Sequence, residues 1–228
     1  MTEAKVNETG VEALDMIYGG LVPGLAALYG PGAISTRMGF WIAKQLSRSV
    51  EWQSNVAIAA SDWTPNELAD ELLGYPNVRR TALDFGGFQA LAQAVATVGE
   101  GGLLVLDSTS ALEAKAGVIR KTPARYAELE AIRSLAVESN VMVLACGRWD
   151  VSRKRLLGTT LWEELARNLY VLRPRESYFG RYQIEAVTAT NRSQAASSPV
   201  TLWLDDSTIA PMPDDPSPPA EIRICWGA

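Results

Sequence analysis

The stretch "LYGPGAISTRMGF", Leu28–Phe40, holds residues whose types and spacing could do chemistry. A short apolar strand runs into a Gly-Pro-Gly turn and then into an amphipathic segment. In such a turn, successive backbone N–H groups and a helix N-terminus surround a phosphate, a lysine reaches its oxygens, and a serine or threonine holds magnesium. Counted from Gly30 against the spacing G-x-x-x-x-G-K-[S/T], Ser35 stands at the second glycine, Thr36 at the lysine and Arg37 at the hydroxyl. Gly30, Gly32, Ser35, Thr36 and Arg37 are therefore candidate nucleotide-binding residues of a turn that has lost most of its defining groups. A side chain at the second glycine also crowds the approach of a phosphate to the backbone. Arg37 offers a replacement charge from the neighbouring position, with Thr36 left as the hydroxyl, but its side chain leaves the helix start in a different direction.

Composition removes several other chemistries. The 228 residues contain no histidine, which excludes histidine general bases, serine–histidine triads and most zinc sites, and no metal-binding cluster is expected. The two cysteines, Cys146 and Cys225, form no disulfide framework, which points to a reducing cytoplasm. No apolar run approaches the roughly 20 residues of a membrane span. A formal charge of -5 argues against wholesale electrostatic binding of nucleic acid and leaves local basic patches as the alternative.

The elements that must position the turn follow from hydrophobic patterning. Apolar, β-rich runs recur at 25–30, 55–61, 102–108, 140–147, 168–172, 182–189 and 200–204, and helical stretches at 38–49, 65–74, 87–98 and 124–138 separate the first four. That alternation predicts an α/β fold with a mainly parallel sheet flanked by helices. Beyond about residue 168, polar turns between strands predict antiparallel strands added at one edge. Residues 1–209 read as a single core domain, and 210–228 as a Pro/Asp-rich tail with "EIRICW" available as a short edge strand. Ligands of open α/β sheets lie at the carboxyl ends of the strands. Gly30–Arg37, Ser61–Thr64, Asp107–Ser110 and Gly147–Trp149 should therefore meet on one edge.

The opening "ETGVEALDMIYGGLVPGLAALYGPG" resembles the RecA/RadA/KaiC family of RecA-fold ATPases, through Thr9, Gly10, Leu14, Asp15, Gly19, Gly20, Pro23, Gly24, Tyr29 and Gly30. "LLVLDS" is similar to the family's Walker B strand, "VMVLACGR" to its next core strand, and "LLGTTLWEELARNLYVLR" to the segment after its second DNA-binding loop. The resemblance covers residues 9 to 210 and implies a RecA-like P-loop NTPase fold. It also implies that Asp107 is the Walker B acid, that Asp62 is a shortened, vestigial general base, and that Gly147 stands where a polar side chain senses the γ-phosphate. ATP and magnesium would then be held weakly, and hydrolysis would be inefficient.

In that family two loops hold single-stranded DNA. Here the first segment contains Lys115, Arg120, Lys121 and Arg125 against Glu113, and the second contains Arg148, Arg153, Lys154 and Arg155 against Asp150, with Trp149 among them. Clustered cations with an aromatic residue suit a strand whose phosphates need neutralising and whose bases stack. The family's Phe-x-x-Ala assembly tether is absent ahead of the core, since this spacing occurs only at Phe40–Ala43. The resemblance therefore implies a recombinase paralogue, non-catalytic, that binds single-stranded DNA or an active RecA-fold partner in recombination or repair. Its rivals are a DNA-dependent ATPase that uses Arg37 and a KaiC-like regulatory interaction protein.

Overall fold

Strands buried on both faces need apolar residues at every position, and those of the central sheet have them. In the computed structural model β1 (Gly24–Gly30), β2 (Val56–Ala60) and β4 (Leu103–Asp107) are buried along their whole length. The structure describes Thr9, Asp15, Gly20, Trp52 and residues 22–31, 33–49, 55–83, 87–115, 122–150, 155–156, 160–178, 181–191, 200–204 and 209–211. Among them, β3 (Arg79–Ala82), β2, β4, β5 (Met142–Asp150), β1 and β7 (Asn168–Tyr178) lie side by side in that order, each parallel to the next. Beyond β7, β8 (Arg181–Asn191), β9 (Val200–Leu204) and β10 (Ile209–Pro211) pair antiparallel in succession. β10 carries the sheet across residue 209, where the sequence reading ends the core.

Period-two alternation divides the core between the two faces. Val105, Leu144, Cys146 and Leu28 pack against α1 (Ile34–Leu46) and Leu68 of α2 (Pro65–Glu71). Leu104, Leu106, Val143 and Ala145 point the other way, toward α3 (Gly87–Thr97), α5 (Pro123–Glu138) and α6 (Leu161–Leu165). α4 (Thr109–Lys115) follows β4 directly.

Local signals place the helix starts. Thr64 accepts from Glu67 N–H while the Glu67 carboxylate accepts from Thr64 N–H, with Pro65 in the first turn. Thr122 caps α5 through its side chain alone, accepting from the Arg125 N–H, ahead of Pro123. α1 has no side-chain cap, and it begins at Ile34 rather than at the expected 38. Ser35, Thr36 and Arg37 therefore belong to its first turn.

The N-terminal motif has a structural reason as well. The backbone N–H and the hydroxyl of Thr9 both donate to Asp15 Oδ1, at 2.9 and 2.8 Å. Gly20 and Gly24 take φ of 88° and 111°, a region that side chains disfavour.

The sequence reading misses β3, α4, α6, β10 and the two-residue β6 (Arg155–Leu156). The first has an instructive cause: "RRTA" is an edge strand with Arg79, Arg80 and Thr81 exposed, so it lacks the apolar run that marks a buried strand.

Candidate functional site

The carboxyl ends of β1, β2, β4 and β5 bring the expected segments together around one acid. Asp107, the last residue of β4, is buried, and its two oxygens are held by different elements. Oδ1 accepts from Thr36 Oγ1 of α1 at 2.6 Å, and Oδ2 accepts from the Trp63 indole Nε1–H at 2.7 Å. Burial raises the Asp107 carboxyl above its ordinary range. The Thr36 and Trp63 hydrogen bonds oppose that shift, the Asp62 charge adds to it, and the Arg148 charge works against it. Asp62 itself is exposed and accepts a long hydrogen bond, 3.3 Å, from the Ser108 hydroxyl.

Thr36, which a linear count puts at the lysine position, is the residue whose hydroxyl meets Asp107. In P-loop proteins the loop hydroxyl and the strand-end Asp both hold magnesium and so are neighbours. On that geometry Thr36 stands where such a hydroxyl would, beside the strand-end acid, in the part the sequence leaves to it. Ser35 is buried, and its hydroxyl donates to the Gly147 carbonyl at 2.6 Å. Arg37, on the same first turn, is exposed. Gly30 ends β1 in close quarters, since a Cβ there would lie 3.3 Å from both Ile34 and Leu172. Gly32 lies outside the described residues.

Gly147 faces the ring of Tyr29, its parallel neighbour on β1. A Cβ on Gly147 would come within 2.6 Å of Tyr29 Cδ1. Tyr29 is wholly buried, and that burial pushes its hydroxyl far above the ordinary tyrosine value. An aromatic ring from β1 therefore takes the space into which a β5 side chain would grow.

The two basic segments differ in kind. In the first, Glu113 is buried and accepts from the Trp162 indole at 3.1 Å, so it is a core group rather than a loop charge. Lys115 ends α4. Arg125 lies inside α5, not in a loop, and is paired with Glu128 at 2.6 Å. Arg120 and Lys121 lie outside the described residues. In the second segment β5 runs on to Asp150, and β6 returns antiparallel, with Trp149 opposite Leu156 and Asp150 opposite Arg155. Arg148 is exposed and Trp149 half-buried on β5, so the expected loop is in part a strand pair. Arg153 and Lys154 lie outside the described residues.

No protein-family profile and no curated protein matches the sequence. Solved structures do match. A KaiC-like protein from the hyperthermophilic archaeon Pyrococcus horikoshii OT3 superposes with a TM-score of 0.66 at 13% identity, covering 92% of this chain and 100% of that one. The RadB recombinase superposes with a TM-score of 0.63 at 18% identity, covering 89% of this chain and 97% of that one. The fold is a RecA-like α/β fold. In this RecA-type core, sequence reasoning finds Asp107 and Thr36 but misses Trp63 and Tyr29. The available signal for Trp63 is its position directly after Asp62 at the carboxyl end of β2, an edge where a large aromatic with a polar N–H has neighbours to reach. For Tyr29 it is the match to the family opening, which leaves the ring's direction unspecified. Among the described residues no cluster of His, Cys, Asp or Glu suits a metal ion, and no helix is long and apolar enough to cross a membrane.

Proposed function

We propose that this chain is a RecA-fold recombinase paralogue with a degenerate ATP site, working in the cytoplasm as a non-catalytic component that binds single-stranded DNA or an active RecA-fold partner in recombination or repair. One observation carries the reading: Asp107 Oδ2 accepts a hydrogen bond from the protein's own Trp63 indole. The residues present do not fit a magnesium nucleotide. The 28–40 stretch contains no lysine, the Ser35 hydroxyl is turned inward to Gly147, and one oxygen of the acid that would help hold the metal accepts from the Trp63 indole. Positioning and charge neutralisation supply nearly all phosphoryl-transfer catalysis, so loss of the lysine together with the sensor costs on the order of a thousandfold or more. The likeness to the RadB recombinase supports the DNA side of the reading, as do Arg148 and Trp149 on the same sheet edge as Asp107. The likeness to the KaiC-like protein supports a second reading, a regulatory protein whose basic segments meet another protein.

Steady-state phosphate release, with and without single-stranded DNA, is the test. The expected result is turnover at background in both conditions. Turnover that rises with DNA and disappears in Asp107→Ala identifies an active DNA-dependent ATPase instead.

A further inference from the structure

We propose that Trp63 stands in the place of the divalent cation at Asp107, so that any polyphosphate bound at this turn is bound without metal. The inference rests on the reading of the turn as a vestigial nucleotide site, and it concerns this chain's own residues. An indole nitrogen is a donor only. At 2.7 Å its N–H directs positive charge onto Oδ2, one of the two oxygens that Asp107 has to offer a cation. The other oxygen is bridged to Thr36 at 2.6 Å.

The indole is held from both sides. Its ring packs against Phe40 of α1 with centroids 5.2 Å apart and is partly buried in the core cluster beneath that helix. The next residue, Thr64, is fixed by its reciprocal hydrogen bonds with Glu67 at the start of α2. Trp63 therefore joins α1, α2 and β4 and places its N–H on one of the two oxygens that a cation would use.

Thermal unfolding of the full chain in millimolar magnesium or manganese, against EDTA, tests this. The wild type should unfold at the same temperature in all three. Trp63→Phe keeps a ring against Phe40 and deletes the donor, so its melting temperature should rise in metal by roughly 3 °C. Adding Asp107→Asn to that variant should remove the rise. A wild-type rise in metal that Asp107→Asn abolishes overturns the proposal, and so does a folded Trp63→Phe that ignores metal. A direct readout covers a variant that does not fold: the Trp63 indole N–H should be protected from solvent exchange in the wild type and shifted in the NMR spectrum of Asp107→Asn. An indole resonance indifferent to that substitution also overturns the proposal. Failure here is distinguishable from failure of the functional reading, because ATP turnover is measured separately and a metal response without turnover leaves the non-catalytic reading standing.

Discussion

Gly147 shows how one residue's identity follows from a neighbour's volume. The absence of a sensor side chain at this position reads from sequence as a simple loss. In the fold it is a steric requirement: the wholly buried Tyr29 ring leaves no room for even a methyl group. Gly147→Ala should therefore destabilise the protein by about 1–3 kcal/mol, the usual range for overpacking a core. In a Tyr29→Leu background the same substitution should cost measurably less, because the two residues share one space. Chemical denaturation of the two single variants and the double variant measures the coupling, and additive costs would show that ring and glycine are independent. Restoring a sensor by mutation at Gly147 alone is thus expected to fail through folding before any catalysis is tested.

At the scale of elements, the proposed contact with nucleic acid falls to the β5–β6 strand pair, where Arg148 and Trp149 lie on the sheet edge that holds Asp107. In the first basic segment Arg125 pairs with Glu128 within α5. Neutralising Arg153, Lys154 and Arg155 together should weaken single-strand binding for all sequences. It should also make the dependence of log affinity on log salt shallower by roughly 0.7 per lost phosphate contact. Trp149→Ala should lose on the order of 1–3 kcal/mol with the salt slope nearly unchanged, as stacking carries no net charge. Fluorescence anisotropy over a salt series gives both quantities, and a folded triple variant that binds as the wild type does would favour the protein-interaction reading.

For the whole molecule, the Phe-x-x-Ala spacing at Phe40–Ala43 is unavailable as an assembly tether, because both residues are buried on α1. The isolated 228-residue chain is therefore expected not to build long homofilaments. Light scattering and electron microscopy at micromolar concentration check this, and long regular filaments would require assembly through the core edges instead.

The sheet is largely legible in the sequence, because strands buried on both faces must be apolar throughout, and "LAALYG", "NVAIAAS" and "GLLVLDS" announce themselves in that way. The collection of Thr36, Asp62, Asp107 and Gly147 on one edge followed from topology alone, since parallel strands share a carboxyl end. Strands and helices with another reason to exist were not legible: β3 is polar because it is an edge, and α4 and α6 are short. The decisive features of the candidate site belong to the tertiary structure. A linear count assigns Thr36 to the lysine position, but α1 begins at Ile34, and only the rotation of its first turn decides which hydroxyl meets Asp107. Likewise, sequence places Trp63 beside Asp62, 44 positions before Asp107, and a hydrogen bond across that separation exists only once β2 and β4 are paired. The types of residue available are written along the chain, but which of them satisfies which depends on distances that folding alone creates.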